Sequence, residues 1–357
     1  METGNQCINL HLELQVPKKM QQKYEYIYLG SDNDYDRMKR SFLPLECNRV
    51  MVCKPIYRNM NWVTGFFYRL HCSSITNRLI DLPFKRIWAR YLIGKDIRKR
   101  IKGKDNVCFC FSGMEYKYVQ MGFLDYLKRK YPSAKFVFVF SDIVPFYQKE
   151  FKGFDVEAVK KQFDIVVSFN PIDVKHYSLI KDRPFFLTLS PIDDIVETID
   201  VFYVGREKGR IAKIIEIATI CNSHGYSIEF YVLGVPLEKR KPVKGLFYID
   251  SYLPYDSVFK KIRRSKCILN ILQDNSEGIT FREYEAVNMN KMIMTDCKTF
   301  LSSPFYTEEK VINLDNLEIE IDKISQSSKS VSWKNRDTYS VQAYYNWMDS
   351  LLNDLLL

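Results

Sequence analysis

Short apolar runs alternate with amphipathic stretches along the first half of the chain. The apolar runs are bounded by polar residues, as buried strands are, and the stretches between them are typical of helices. The predicted strands are residues 24–29, 49–53, 106–111, 135–140, 164–169 and 184–189, and the clearest predicted helices are 116–130 and 156–163. Strands that alternate with helices of this length predict a parallel, doubly wound sheet.

The alternation resumes after an acidic connector at residues 192–197. In the stretch 211–223, Ile211, Ile214 and Ala218 recur at helical spacing, so one face of this helix is expected to pack on a sheet. The predicted strands of this half are 201–204, 227–233, 246–249, 267–271, 291–294 and 310–313, and the predicted helices are 211–223, 255–264, 281–288 and 317–325. An amphipathic helix at 339–357 closes the chain.

Two consecutive series of this kind predict two Rossmann-like domains that face each other across a cleft, a common place for a ligand. We place the first domain at residues 1–192, the second at 193–338 and the closing helix at 339–357. The predicted fold class is therefore α/β, with two doubly wound parallel sheets. A length of 357 residues agrees with two domains.

Composition narrows the class of protein further. Hydrophobic residues make up 46% of the chain and charged residues 27%, which is ordinary for a folded soluble protein. No run of about 18 apolar residues occurs, and residues 1–20 lack the apolar core of a signal peptide, so we expect no transmembrane helix. Nine scattered cysteines without a C-x-x-C pair favour reduced thiols in the cytosol and no metal site.

The most informative segment runs from Glu277 to Glu285, between the predicted strands 267–271 and 291–294. The helix of such a βαβ unit begins at the carboxyl edge of the sheet, where ligands bind in open α/β folds. Its N-terminus suits a phosphate, and carboxylates beside it can accept hydrogen bonds from sugar or ribose hydroxyls. Capping and the helix dipole also explain an acid at this place, and for Glu283 that interpretation is preferred.

A second segment, at residues 201–210, combines a strand, a glycine turn and three cations. Gly205 and Gly209 permit a tight turn, and the cations can neutralise a diphosphate. The three cations are Arg206, Lys208 and Arg210. An ordinary strand–helix turn with solvated cations is the alternative. Since both segments follow strands of one parallel sheet, we expect them to share its carboxyl edge and to bind an anionic donor that carries hydroxyl groups.

Arginine and lysine side chains can neutralise the charge of a diphosphate, so a metal ion is not needed for that purpose. Asp32, Asp34 and Asp36 form Asp-x-Asp pairs, but they stand in a polar loop after the first strand, where a surface turn is the preferred interpretation. Tyr252, after the strand 246–249, is the candidate flat surface for a nucleotide base. The sequence therefore predicts a nucleotide-sugar site with no metal and no other cofactor.

Particular residues carry a resemblance to a known family. Residues 278–286, Gly-Ile-Thr-Phe-Arg-Glu-Tyr-Glu-Ala, are similar to a Gly-x-Thr-x-Arg pattern of surface-glycan transferases. The spacing of Glu277 and Glu285 matches the Glu–seven residues–Glu motif of retaining members. The chain thus resembles, over about residues 200–296, the GT-B glycosyltransferases that build bacterial capsule and lipopolysaccharide. Asn290 departs from the pattern, because many relatives have glycine there, although Asn tolerates a positive φ.

The resemblance implies roles for these residues. Glu277, facing the donor sugar, and Arg206, on the leaving diphosphate, are the candidate catalytic residues, and Glu285 would hold the ribose hydroxyls. The other implied donor contacts are Gly205, Lys208, Arg210, Tyr252, Gly278, Thr280 and Arg282. The implied activity is sugar transfer from a nucleoside diphosphate to a glycan or a lipid-linked acceptor, with retention favoured over inversion. The first domain would bind the acceptor, and the closing helix would pack back on it.

Polar residues after strands of the first domain are candidates for the acceptor side of the cleft. Ser112, Gly113 and Glu115 follow the strand 106–111, Asp142 follows the strand 135–140, and His176 lies shortly after the strand 164–169. Asp142 or His176 would serve as the general base of an inverting enzyme. Helix capping explains Ser112 and Glu115 equally well, and a position on a helix surface explains His176.

The positive charge of the chain is concentrated in one segment. The net charge is +10, and residues 51–104 contain 13 Lys or Arg against two acids. The part at 85–104 mixes cations with large apolar side chains and predicts a patch for an anionic membrane surface. The predicted patch residues are Trp88, Arg98, Lys99 and Arg100, with further aromatic surface upstream at residues 62–70. A solvated helix that packs on its own sheet is the alternative.

These features together predict a cytoplasmic glycosyltransferase that is peripheral on the inner face of the membrane. Two other functions stay open at this stage. A nucleic-acid-binding module could use the basic stretch 85–104, although it would leave Arg206 and Glu277 unexplained. A non-catalytic protein of the same fold could serve as a scaffold.

Overall fold

The protein is described here by a computed structural model that covers residues 22–29, 43–44, 47–72, 82–183, 195–326, 331–335 and 339–355. The predicted strand 184–189 and the aspartate loop at 32–36 lie outside these residues. The predicted boundary between residues 192 and 193 also lies outside them and stays a prediction.

Six strands form the sheet of the first domain, in the order β2-β1-β3-β4-β5-β6, and every neighbouring pair is parallel. The strands are β1 Glu25–Leu29, β2 Val50–Val52, β3 Val107–Ser112, β4 Lys135–Phe140, β5 Ile165–Ser168 and β6 Ile180–Lys181. The helices are α1 Trp62–Cys72, α2 Lys95–Ile101, α3 Tyr116–Gln120, α4 Phe123–Lys130, α5 Val144–Glu150, α6 Val156–Gln162 and α7 Pro171–Tyr177. All of β3 is buried, because a parallel sheet is covered on both faces.

The second domain contains another parallel sheet of six strands, in the order β12-β11-β10-β7-β8-β9. The strands are β7 Ile199–Arg206, β8 Ile228–Leu233, β9 Leu246–Ile249, β10 Ser265–Asn270, β11 Met292–Thr295 and β12 Val311–Asn313. The helices are α8 Ile211–Ser223, α9 Tyr255–Arg263, α10 Phe281–Asn288, α11 Lys298–Leu301, α12 Leu317–Glu320 and α13 Lys323–Gln326. The strand order reverses between β7 and β10, and a crevice opens at such a point.

The closing helix α14, Val341–Asp354, returns to the first domain. The carboxylate of Asp349 accepts hydrogen bonds from the hydroxyl of Tyr26 at 2.8 Å and from the backbone N–H of Tyr24 at 3.0 Å. The same carboxylate pairs with Arg49 at 2.8 Å. The predicted architecture is therefore confirmed: two doubly wound parallel sheets face each other across a cleft, and the last helix crosses back.

The structure differs from the sequence prediction in a few helices. The predicted helix 116–130 is two helices, because Gly122 adopts a left-handed conformation with φ 73° between them. The basic stretch 85–104 is a 3₁₀ segment, Lys85–Tyr91, followed by α2. Helix α1 was not among the predicted helices, since its apolar residues lie on more than one face. No helix in the described part of the chain has both the length and the apolar character needed to cross a bilayer.

Candidate functional site

A cavity of about 1000 Å³ lies between the carboxyl edges of the two sheets. Its first-domain wall is rich in aromatic side chains and includes Tyr28, Phe140, Phe146, Tyr147 and Phe169, with Asp142 among them. Its second-domain wall carries most of the charge and includes Arg206, Lys208, Arg210, Asn270, Gln273, Thr280 and Arg282. Tyr344 and Tyr345 of α14 complete the lining. One side of the cavity therefore suits an anion, and the other suits an apolar or aromatic surface.

The switch point of the second sheet places two strand ends side by side. β7 ends at Arg206 and β10 ends at Asn270, and both residues line the cavity. A side chain at Gly205, near the end of β7, would meet the Tyr203 hydroxyl at 2.6 Å. Only glycine therefore fits this position without displacing the Tyr203 side chain. The exposed guanidinium of Arg206 lies 5.4 Å from the ring centre of Tyr252. This stacking holds the cation beside a flat aromatic surface.

Arg210 links the two strand ends that border the same crevice. Its guanidinium donates hydrogen bonds to the backbone carbonyls of Arg206, the last residue of β7, and Ile271, the first residue after β10. Lys208 stands in the left-handed region at φ 41°, and its ammonium donates to the side-chain oxygen of Gln273. Arg206 and Lys208 are exposed and Arg210 is half-buried, so Arg210 holds the two strand ends together while the others project their charge.

Helix α10 begins beside these cations with a capping box. Thr280 accepts a hydrogen bond from the backbone N–H of Arg282, and the Glu283 carboxylate accepts from the backbone N–H of Thr280 at 2.8 Å. The sequence predicted that free N–H groups here would bind phosphate. The capping box already occupies part of that capacity, so the side-chain cations carry most of the positive charge offered to a ligand.

Glu283 is fully buried beneath the crevice. Its carboxylate also accepts hydrogen bonds from Asn270 at 2.6 Å and from Thr295 at 2.9 Å, which ties α10 to β10 and β11. Burial raises the pKa of Glu283, while the hydrogen bonds from Thr280 and Thr295 act in the opposite direction. The structure thus agrees with the capping interpretation of this residue.

Glu285 lies behind the cavity wall rather than in it. Its side chain is 1% exposed, pairs with the guanidinium of Arg282 and accepts a hydrogen bond from the Tyr255 hydroxyl at 2.9 Å. Burial raises the pKa of Glu285, and the Arg282 guanidinium opposes the rise. Both partners line the cavity. In this geometry Glu285 orients Arg282 and Tyr255. The direct ribose contact that the resemblance implies stays a prediction.

Glu277 stands at the rim of the cavity. Its side chain is exposed and is not part of the lining, whereas its neighbours Ser276 and Ile279 are. Its backbone N–H donates to the side-chain oxygen of Asn170 in the first domain at 3.1 Å. Arg206 and Glu277 therefore lie on the same edge of the second sheet, but only Arg206 faces the cavity directly.

Two further contacts join the domains at this edge. A side chain on Gly278 would meet the backbone oxygen of Phe169 at 2.6 Å, so the loop before α10 can approach the first domain only because this residue is glycine. The side-chain amide of Gln273 donates to the Asp142 carboxylate at 3.2 Å. Asp142 is thus the one predicted acceptor-side residue that the structure brings into the cavity.

The other predicted acceptor-side residues lie elsewhere. Ser112 is buried, with its hydroxyl 3.4 Å from that of Ser141, and Glu115 is fully buried. Gly113 packs so closely on the ring of Tyr147 that no side chain would fit. His176 is exposed on α7, outside the cavity lining, with its ring against that of Tyr177. Ser112 and Glu115 stand at the N-caps of short helices, but neither side chain makes a capping hydrogen bond, so capping does not account for them. The exposed position of His176 agrees with the surface interpretation.

The predicted membrane patch is also rearranged. Trp88 is buried and donates a hydrogen bond from its indole to the ring of His71 at 3.0 Å, so it cannot reach a membrane. Arg100 pairs with Glu25, and Arg98 donates to the backbone carbonyl of Arg90. Lys99 remains exposed. The 3₁₀ segment turns Trp88 inward, a direction that the assumed helical spacing did not anticipate.

Several site residues were missed from the sequence. Asn170 had a signal, since it follows β5 in the turn where ligands meet a parallel sheet. Gln273, Tyr255 and the tyrosines of α14 had none, because their roles depend on contacts between elements that are far apart in the sequence. Long-range contacts of this kind leave no local pattern.

Comparisons with known proteins yield likeness in structure alone. No protein-family model matches the chain, and no curated protein does. The chain is similar to an alpha-glucosyltransferase solved with UDP and a 13-mer DNA, at 9% identity and a TM-score of 0.49, over 94% of this chain and 100% of that one. It is also similar to a glycosyltransferase from Rickettsia africae, at 11% identity and a TM-score of 0.46, over 94% and 99% of the two chains. The lipopolysaccharide outer core galactosyltransferase WaaB is similar at 10% identity and a TM-score of 0.43, over 92% and 99%. With identities this low and TM-scores below 0.5, the likeness does not extend to activity or ligand.

Proposed function

We propose that this protein is a glycosyltransferase that moves a sugar from a nucleoside-diphosphate donor to a glycan or lipid-linked acceptor. One observation carries the proposal. Arg206, Lys208 and Arg282 line one cavity at the switch point of the second sheet, and the first domain supplies the opposite wall. A diphosphate needs such a concentration of cations, and a second wall gives the acceptor a place next to the sugar.

The reaction breaks the bond between the anomeric carbon and the diphosphate oxygen and forms a bond from that carbon to an acceptor hydroxyl oxygen. The proton of the hydroxyl is released, and negative charge develops on the departing diphosphate. Fixed cations stabilise this charge more in the transition state than in the ground state, which lowers the barrier. Arg206 and Arg282 are assigned this task in the proposal, and no metal is required for it.

The two glutamates have different assignments. Glu285 is a positioning residue, because its carboxylate holds Arg282 and Tyr255 in place. Glu277 is the candidate to meet the donor sugar, because its neighbours Ser276 and Ile279 line the cavity. Retention of anomeric configuration is part of the proposal and is supported by the spacing of the two glutamates alone.

The acceptor assignment draws on the first-domain wall. Phe140, Phe146 and Phe169 supply apolar area that suits the faces of sugar rings or the start of a lipid. We include a role in surface-glycan synthesis at the cytoplasmic, inner face of the membrane in the proposal. The nucleic-acid alternative is not favoured, because a module that uses the stretch 85–104 gives no role to Arg206 and Arg282, which line the cavity.

A thermal-shift screen of UDP, GDP, ADP, CDP and dTDP tests the proposal. A ligand that binds only the native state raises the melting temperature, by an amount that grows with its concentration relative to the dissociation constant. We expect one nucleoside diphosphate to raise it and the corresponding nucleoside, which lacks the phosphates, to have little effect. No shift with any of the five would reject the donor site.

A further inference from the structure

Helix α1 presents an apolar face to solvent on the first domain. Trp62 is 85% exposed, and the residues one and two turns later on the same face are exposed as well. The exposed apolar residues of this face are Trp62, Val63, Phe66, Phe67 and Leu70. The opposite face of the helix is packed, with Gly65 buried and Tyr68 against Trp88 at 5.7 Å between ring centres. The exposed side is therefore an apolar surface that no element in the described part of the chain covers.

A neighbouring segment extends this surface. Phe84 is 79% exposed in a left-handed conformation, and Ile87 is exposed one turn later. The ring of His71 joins this segment to α1, because it accepts from the Trp88 indole and contacts the backbone oxygen of Pro83 at 2.8 Å. The buried Trp88 thus fixes the two apolar elements relative to each other. We call Trp62, Val63, Phe66, Phe67, Leu70, Phe84 and Ile87 the α1 surface.

Exposed arginines lie on or next to the segments that carry the α1 surface. Arg58 precedes α1, Arg69 lies on it, and Arg86 and Arg90 lie on the 3₁₀ segment; none of the four pairs with an acid among the described residues. Between residues 54 and 95 the described part of the chain contains no Asp or Glu at all. The combination of exposed Trp and Phe side chains with nearby positive charges is typical of elements that lie in the interface of an anionic bilayer.

We propose that the α1 surface docks on an anionic lipid bilayer, with its aromatic side chains among the headgroups and the four arginines on lipid phosphates. A second copy of this chain fits less well, because a symmetric contact would bring like charges together. The docking itself does not depend on the proposed sugar transfer. Helix α1 follows the carboxyl end of β2, and the first domain lines the cavity from the same edge of its sheet. If the protein both docks on a bilayer and transfers a sugar, a lipid-linked acceptor would enter the cavity from the docked side.

The test is co-sedimentation of the full chain with vesicles, without any nucleotide. We expect binding to phosphatidylcholine mixed with phosphatidylglycerol at low salt and much weaker binding to pure phosphatidylcholine. Each removed cation is expected to lower the partition coefficient about fivefold, so Arg69→Glu with Arg86→Glu should lower it by far more than tenfold. Phe66→Ser with Phe67→Ser should also lower it at least tenfold, because the apolar contact is lost.

Matched controls separate docking from general effects. Ile319→Ser, at an equally exposed apolar residue of the second domain, and Lys298→Glu, at an exposed cation there, should leave the partition coefficient unchanged. Trp62 also gives a local readout, because it is the most exposed of the four tryptophans: Trp88 and Trp333 are buried, and Trp347 of α14 is half-buried. Its fluorescence should shift to the blue on vesicles, and Trp62→Phe should remove the shift while most of the binding stays.

Three results would overturn the proposal. One is equal binding to neutral and anionic vesicles, and another is undiminished binding of the Phe66→Ser, Phe67→Ser variant. The third is a dimer in gel filtration that this variant converts to a monomer, because the surface would then be an interface between copies. A donor site that fails its own thermal-shift test would leave the vesicle result untouched.

Discussion

The side-chain oxygen of Asn170 accepts a hydrogen bond from the backbone N–H of Glu277 at 3.1 Å, across the junction of the two domains. The amide nitrogen of Asn170 donates to the backbone carbonyl of Asn275 at 3.3 Å, so one buried side chain holds the loop on both sides. The place of the candidate sugar-facing carboxylate is therefore set by a residue of the other domain.

Replacing Asn170 by Ala should disturb this loop. The substitution leaves the backbone N–H of Glu277 and the carbonyl of Asn275, both in part-buried hydrogen bonds, without their partner, which costs about 1 kcal/mol of stability. Misplacement of Glu277 should also lower kcat about ten- to hundredfold. Asn59→Ala is the matched control, because Asn59 likewise donates to a backbone carbonyl, that of Tyr91, but lies outside the cavity lining. We expect Asn59→Ala to lose a comparable amount of stability and to keep its kcat. If Asn170→Ala had the same kcat as Asn59→Ala, Asn170 would have no role in positioning Glu277.

Gly278→Ala tests the close approach of the domains. The added carbon would meet the backbone oxygen of Phe169 at 2.6 Å, and backbone cannot yield as a flexible side chain can. We expect a loss of about 1–3 kcal/mol in the free energy of unfolding, measured in urea, together with weaker activity. Gly65→Ala in α1 is the comparison, since its added carbon has only a contact at 4.0 Å and a helix favours Ala. A Gly278→Ala variant as stable and active as Gly65→Ala would show that the junction opens freely.

Glu285→Gln should weaken donor binding without removing a group from the cavity. The variant leaves the guanidinium of Arg282 without its carboxylate partner, so the cation is less well oriented toward a diphosphate. We expect affinity for the preferred nucleoside diphosphate to fall about tenfold. If Glu285 instead bonds the ribose, affinity for the nucleoside diphosphate should fall and affinity for its 2′,3′-dideoxy analogue should not. Calorimetric titration of both ligands distinguishes the two roles.

The pH dependence of stability should carry the signature of Glu283. Burial raises the pKa of Glu283 above its ordinary value of 4.5, so the folded state binds more protons than the unfolded state between the two values. Its contribution is fully present below the ordinary value and is lost as the pH rises through the folded-state pKa, at up to about 1.4 kcal/mol per pH unit. Glu283→Gln, which does not titrate, should flatten this part of the profile. Unfolding in urea across this range measures it, and identical profiles for both proteins would refute the assignment.

The sequence predicted the fold well because local patterns carry it. Apolar runs such as 135–140 and 246–249 coincide with β4 and β9, and the period in 211–223 coincides with α8. Helix breaks were harder, since a single left-handed residue at Gly122 divides a continuous pattern. The orientation of Trp88 also failed, because the 3₁₀ segment has a different period from the helix assumed there.

The edge of the second sheet that lines the cavity was predictable for the same reason. Arg206 and Thr280 follow strands of one parallel sheet, and the carboxyl edge brings such residues together. The first-domain side of the cavity was not predictable from the sequence, as His176 and Asp142 show. Both follow strands, yet only Asp142 reaches the cavity, because the path of each loop after its strand depends on packing across the two domains.

The most direct test of the donor site is calorimetric titration of the nucleoside diphosphate selected by the thermal-shift screen. The account predicts saturable binding to the unchanged protein and affinity at least tenfold lower for Arg206→Ala, because a charge-assisted hydrogen bond to phosphate is lost. Arg240→Ala, which removes an arginine of the same domain that pairs with Asp250 outside the cavity lining, should bind as the unchanged protein does. Equal affinity for Arg206→Ala and the unchanged protein would contradict the account.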